Sequence, residues 1–243
     1  MAAQPAHGSR LHLIDTLRAA APWQKIRKAT LGADAQQRVQ VRSDDFHVAR
    51  IKQKTATTTL FVVDASGSSA LHRLAEAKGA VELLLADCYV RRDQVALIAF
   101  RGKVAELLLP PTRSLVRAKR SLSGLPGGGG TPLATAIDTA ASVAEGLRRR
   151  GQSPVIVLLT DGRANVARDG TGGRERAQAE ATQAARQLSA LQVPLLFIDT
   201  SPKPKQEAAQ LAGAMRARYI PLPHAGAAAV SMAVRAATQD GAR

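Results

Sequence analysis

From Thr57 onward, short apolar runs alternate with stretches of helical periodicity. Thr57–Asp64 reads as a strand, and a helix from about Ser69 to Tyr89 follows, with Leu74, Val81, Leu84 and Cys88 on one face. Gln94–Phe100 and Val104–Leu109 flank Arg101-Gly102-Lys103 as a hairpin, one arm being an antiparallel edge strand. Pro110-Pro111 is expected to break the chain, and Thr112 to cap a helix reaching about Leu122. Gly127–Gly130 is a loop, and Thr131-Pro132 starts a helix because proline suits a first turn. Leu133, Ile137, Ala140, Ala144 and Leu147 form that helix's buried stripe. A strand over Val155–Asp161, a helix from about Arg174 to Leu191 and a strand over Pro194–Thr200 come next. Helical Lys205–Ala217, a short strand at Arg218–Leu222 and a closing helix at Gly226–Thr238 complete the pattern. Such alternation predicts an α/β fold, a three-layer, doubly wound and mostly parallel sheet with one antiparallel edge strand.

The first part of the chain differs. Leu11–Ala20 fits a short amphipathic helix, with Trp23–Lys28 its basic continuation. Val39–Val41 and Phe46–Ile51 alternate apolar and polar residues, as in a strand or extended arm leading into the sheet. The division expected is a helical extension over residues 1–38 and an α/β domain over 39–243.

Composition narrows the class. With 3% aromatic residues among 45% hydrophobic ones, the core must be built from Leu, Val, Ile and Ala. The single cysteine, Cys88, excludes an internal disulfide, fits a reducing cytosol and reads as a packed thiol. No apolar run approaches the roughly 20 residues of a membrane span. Met1–Pro5 does not open a signal peptide, so the expected location is cytoplasmic. The net charge of +15 favours anionic partners, acidic protein surfaces above all. Basic stretches such as Arg148-Arg149-Arg150 carry almost no interleaved aromatics for base stacking, which argues against nucleic acid.

The chemistry-bearing motifs sit at strand exits. Asp64-Ala65-Ser66-Gly67-Ser68 places a carboxylate and two hydroxyls at the end of the first strand. Thr131 follows the glycine run, and Asp161-Gly162 closes the strand beginning at Val155. In an open parallel sheet, ligands bind beyond the carboxyl ends of the strands where strand order reverses. Asp64, Ser66, Ser68, Thr131 and Asp161 would there make an oxygen-only donor set, suited to Mg²⁺ or Mn²⁺ rather than a softer metal. Taken singly, each motif is also good capping chemistry.

Other chemistry fits less well. The glycine run lacks the Lys-Ser/Thr of a Walker loop, and Gly67-Ser68 does not build a nucleophile elbow. A phosphohydrolase using Asp64 would want a second acid where Ser66 stands. His7, His12, His47, His72 and His224 are scattered away from the motifs.

Asp64, Ser66, Ser68, Thr131 and Asp161 resemble the metal-ion-dependent adhesion site of von Willebrand factor A (integrin I) domains, a similarity covering about Thr57 to Thr238. Thr57–Ala70, Leu125–Leu133 and Leu158–Asn165 more narrowly resemble the C-terminal domain of the magnesium chelatase D subunit. The resemblance implies that those five residues are metal ligands. It also implies a non-catalytic subunit that couples an AAA+ ATPase subunit to a porphyrin-binding subunit. That complex is a ligase inserting Mg²⁺ into protoporphyrin IX for chlorophyll or bacteriochlorophyll synthesis. Members of that family carry an AAA+-like module and an acidic, proline-rich linker, neither of which is within these 243 residues. The alternative within the superfamily is an adhesion-type partner of another AAA+ system, such as a cobalt chelatase or a metalloenzyme activator.

Overall fold

The computed structural model describes residues 11–30, 38–48, 56–66, 85, 86, 88–90, 93–125, 127–222, 232 and 236. The chain divides into two compact units, Met1–Gln53 and Lys54–Arg243. Of the helices expected at Ser69–Tyr89 and Gly226–Thr238, the described parts are helical and the rest lies outside the described residues.

In the first unit, α1 (Leu13–Ala20) runs through a 3-10 turn into α2 (Gln24–Ala29). Of Val39–Val41 and Phe46–Ile51, expected as a strand or extended arm, the described residues instead fold back on these helices around a 3-10 turn at Ser43–Asp45, and 49–51 lie outside the described residues. Side chains provide the reason. The Gln24 amide bonds the Gln40 carbonyl and N–H at 2.8 and 2.9 Å, and a buried Arg27 forks onto Asp45. The His47 N–H donates to Thr16 at 3.1 Å, and Leu11 bridges Val48.

The second unit carries a six-stranded sheet in the order β3-β2-β1-β4-β5-β6. Its strands are β1 (Thr57–Asp64), β2 (Gln94–Arg101), β3 (Val104–Thr112), β4 (Ser153–Thr160), β5 (Leu195–Asp199) and β6 (Arg218–Pro221). All pair in parallel except β3, the antiparallel edge strand. The doubly wound α/β sheet expected from the alternation is therefore present. The helices are α3 (Leu115–Ser123), α4 (Leu133–Arg149), α5 (Arg174–Ala190) and α6 (Gln206–Ala214).

Strand periodicity divides the core in two. Leu60, Val62, Ile156, Leu158 and Phe197 face α4, α5 and α6, whose contacting residues are largely alanine. Phe61, Val63, Val157, Leu159 and Ile198 pack against Leu85, Cys88, Ala118 and Leu125. Cys88 is fully buried, its thiol 3.4 Å from Thr59 Oγ1.

Two local expectations are corrected. Pro110-Pro111 does not break the chain, since β3 continues to Thr112. An edge strand tolerates residues without an N–H, and the register shifts between the Val95–Thr112, Leu97–Leu109 and Ile98–Leu107 pairs absorb the extra residues as bulges. Thr112 does not cap α3. Its hydroxyl accepts the Ser114 N–H at 3.2 Å, and Ser114 caps the helix by accepting the Arg117 N–H at 3.3 Å. Arg113 accordingly lies before the helix.

Candidate metal centre

The strand order reverses between β1 and β4, so their carboxyl ends open the crevice where such sheets bind ligands. Val63 pairs with Leu159, which sets Asp64 beside Thr160 at the ends of the two strands. Asp64 Oδ1 accepts the Ser66 N–H at 2.9 Å, a local turn that folds Ser66 back over the strand end. Asp64 Oδ2 accepts from the Thr160 hydroxyl at 2.9 Å. Thr160 is fully buried and itself accepts the Gly162 N–H at 3.2 Å, so its single proton is committed to Asp64.

Electrostatics at this point favour a cation. Burial pushes the Asp64 carboxyl up to about 6, against the pull of its hydrogen bonds from Ser66 and Thr160. The negative charge of Asp161 adds to the rise. A desolvated carboxylate with a second acid nearby is costly by itself, and a bound cation inverts that cost.

Thr131 comes to the same place from the loop before α4. Its hydroxyl oxygen lies 2.7 Å from Ser66 Oγ, although 65 positions separate the two residues. The Asn165 side chain accepts the Thr131 N–H at 2.6 Å, while the Asn165 N–H donates back to the Thr131 carbonyl at 3.3 Å. The glycine run is what lets this loop approach. Gly128 N–H donates to the Ala65 carbonyl at 3.0 Å. A Cβ on Gly130 would lie 2.3 Å from Val166 Cγ2 and 2.9 Å from the Gly102 carbonyl oxygen.

Asp161 stands one residue beyond β4, and its Oδ1 accepts the Arg163 N–H at 3.1 Å. Gln178 on α5 clasps the following loop, donating to the Gly162 carbonyl at 3.2 Å and accepting the Ala164 N–H at 3.0 Å. Of the five residues singled out in the sequence, Asp64, Ser66 and Thr131 are thus joined directly or through one hydrogen bond, and Asp161 flanks them. Ser68 lies outside the described residues.

These residues fit a small hard cation. In an octahedral magnesium shell with bonds of about 2.1 Å, neighbouring ligand oxygens sit about 2.9 Å apart. The Ser66–Thr131 oxygen pair, hydrogen-bonded at 2.7 Å, is close to that spacing and would need to open by only a few tenths of an ångström to share an ion. Among the described residues no three His, Cys, Asp or Glu side chains gather as a metal set, so hydroxyls would have to serve as ligands. Sequence reasoning gave no role to Thr160 and Asn165, which hold Asp64 and Thr131. Thr160 carried a signal, being the one hydroxyl at the exit of an otherwise aliphatic strand.

Comparison with known proteins identifies the family and the fold. Residues 59–163 match the family model of the von Willebrand factor type A domain. Over 96% of its length the chain is 50% identical to the magnesium-chelatase 60 kDa subunit of Cereibacter sphaeroides, spanning 41% of that protein. It is 49% identical over 90% of its length to the corresponding 60 kDa subunit of Rhodobacter capsulatus, of which it spans 39%. The chain therefore spans about two fifths of the length of these relatives. Among solved structures, it resembles the von Willebrand factor domain of the type V pili tip protein Mfa5 from Porphyromonas gingivalis. The TM-score is 0.62 at 12% identity, covering 78% of this chain and 97% of that one, a likeness of fold alone. No described helix is long and apolar enough to cross a membrane.

Proposed function

We propose that this chain, which belongs to the von Willebrand factor A family and within it to the magnesium-chelatase D-type subunits, is a metal-dependent interaction module of a magnesium chelatase. The observation that carries the reading is the convergence of Asp64, Ser66 and Thr131 in a chain half identical, over nearly its whole length, to a chelatase subunit. Ser66, Ser68 and Thr131 would be direct ligands of Mg²⁺ or Mn²⁺. Asp64 and Asp161 would hold water on the ion or alternate with it. When bound, the cation supplies a Lewis-acidic position open to a carboxylate oxygen from a partner.

The rest is the work of this chain's own residues. Thr160 and the Ser66 N–H fix both oxygens of Asp64, and Asn165 fixes the height of Thr131. The ligands are thus ordered before the partner arrives, which lowers the entropic cost of docking. The module would be non-catalytic, joining an AAA+ ATPase subunit to a porphyrin-binding subunit while ATP hydrolysis drives Mg²⁺ insertion into protoporphyrin IX. That inserted ion is substrate, distinct from the one held here. A basic protein of net charge +15 would speed association with acidic surfaces. The test is capture of the ATPase and porphyrin-binding subunits by wild type and by Asp64→Ala in Mg²⁺. Retention by wild type alone is expected, and equal retention by the two defeats the reading.

A further inference from the structure

The candidate metal centre lies between two open clefts, both of which reach its own loops. One, of about 400 Å³, is lined by Ala65, the residue between Asp64 and Ser66, together with Arg101 and Lys103 of the β2–β3 turn. The other, of about 490 Å³, is lined by Arg163, whose backbone N–H holds Asp161, and by Arg174 and Lys205 at the starts of α5 and α6. All five cations are exposed, and none makes an ion pair with another described residue. Elsewhere in the same unit arginines are engaged: Arg168 forks onto Asp138 and Arg176 onto Glu180 and Asp169. The acids in the clefts, Glu106 in the first and Glu175 and Glu207 in the second, are outnumbered.

We infer that the two clefts recognise an extended acidic segment of a partner protein, laid across the carboxyl ends of β2, β1, β4 and β5, with acids on both sides of the one offered to the metal. This rests on the metal reading proposed above and adds the sequence of the ligand to it. Charge complementarity identifies the occupant, because the clefts at either side of the crevice are basic and their cations form no ion pair with another described residue. Strand geometry sets its spacing. β2 and β5 are three strand spacings apart, about 14 Å. An extended chain covers that in about four residues. In such a chain side chains of one face recur at every second position. The recognised pattern is therefore an acid at the metal with further acids two residues before and two residues after it.

The test uses two fluorescein-labelled peptides and the full chain in Mg²⁺ buffer. One is Gly-Ser-Asp-Ser-Asp-Ser-Asp-Ser-Gly, and the other keeps only the central Asp. Anisotropy is expected to show the three-acid peptide binding about tenfold more tightly, the sum of two partly exposed charge pairs. The double variant Arg174→Glu/Lys205→Glu should lose at least the charge pair of the second cleft, cutting the gain to about threefold or less, and bind the one-acid peptide within twofold of wild type. Equal affinity of the two peptides on wild type, or a gain that the double variant leaves at its wild-type value, overturns the inference. Circular dichroism checks the fold, and Arg174→Gln/Lys205→Gln replaces the reversal should it unfold the protein. A parallel series in EDTA separates the two readings. Binding of the one-acid peptide that EDTA leaves unchanged defeats the metal reading, whereas the gain from the outer acids, measured in the same buffer, still decides for or against the clefts.

Discussion

Replacing Asp64 by Asn should stabilise the metal-free protein while abolishing its response to Mg²⁺. The rise of the Asp64 carboxyl from 3.8 to about 6 corresponds to about 3 kcal/mol of added cost for the charged form in the fold. Below about pH 4 this residue is protonated in folded and unfolded chains alike, and the cost is absent. Between about pH 4 and 6 the folded chain binds the proton more tightly, so stability falls as pH rises, and above that window the whole cost is present. Asparagine carries no charge at any pH and keeps the shape, its Oδ1 accepting from the Ser66 N–H. Its Nδ2 then meets Thr160 Oγ1, whose proton loses the acceptor it had in Asp64, which offsets about 1 kcal/mol or more of the gain. In metal-free buffer at pH 7.5 the variant should exceed wild type by up to about 2 kcal/mol. For a unit of this size that is a melting rise of roughly 4–8 °C. The gain should vanish below about pH 4. Magnesium at 100 times its dissociation constant should stabilise wild type by about 2.7 kcal/mol and the variant not at all. Thermal melts followed by circular dichroism from pH 3.5 to 8, with and without Mg²⁺, read all of this. A variant that melts below wild type at pH 7.5 without metal, or a difference that does not change with pH, would refute the reasoning.

Thr160→Val removes a buried hydrogen bond to a charged carboxylate, worth about 1.5–3 kcal/mol, and the Mg²⁺-dependent melting shift should drop well below the wild-type value. Asn165→Ala orphans the Thr131 N–H at a cost of about 1–3 kcal/mol, which urea denaturation in metal-free buffer measures directly. Gly130→Ala forces a Cβ against Val166 and the Gly102 backbone; overpacking of this kind costs about 1–3 kcal/mol, and calorimetric titration with Mg²⁺ should show weakened binding. Asp45, held below the usual carboxylate range by the Arg27 guanidinium, lends the first unit a stability present above about pH 4 and lost as pH falls further. Asp45→Asn should therefore lower the unfolding midpoint of that unit at neutral pH and flatten its acid dependence, as read by Trp23, the sole tryptophan.

Sequence pattern reached furthest where burial leaves no choice. β1 was delimited to the residue, because seven of its eight positions are buried and the eighth is the aspartate that leaves the core. The stripe of α4 was legible for the same reason: Leu133, Ile137, Ala140, Ala144 and Leu147 are all buried. Where a boundary depends on which side chain satisfies which backbone group, local pattern fell short. Thr112 and Ser114 are both good caps, and only the path of β3 decides between them. The double proline looked like a stop because its tolerance depends on β3 being the outermost strand, which is a property of the assembled sheet. Val39–Val41 read as extended on their alternation, yet Gln24 and Arg27 supply partners that draw them back to the helices. At the candidate site the oxygen donors were visible as motifs. Their supports, Thr160 and Asn165, act through contacts across more than 30 positions of sequence.

The seating of the glycine loop on the hairpin tip ties the outer edge of the sheet to its centre. A Cβ on Gly129 would come within 3.0 Å of the Gly102 backbone, so the two segments touch chain to chain with no side chain between them to yield. Thr131 follows two residues later, clamped by Asn165. A displacement of the β2–β3 turn at Gly102 would therefore press directly on the backbone of the loop that carries Thr131, so the outermost hairpin and the candidate site cannot be altered independently.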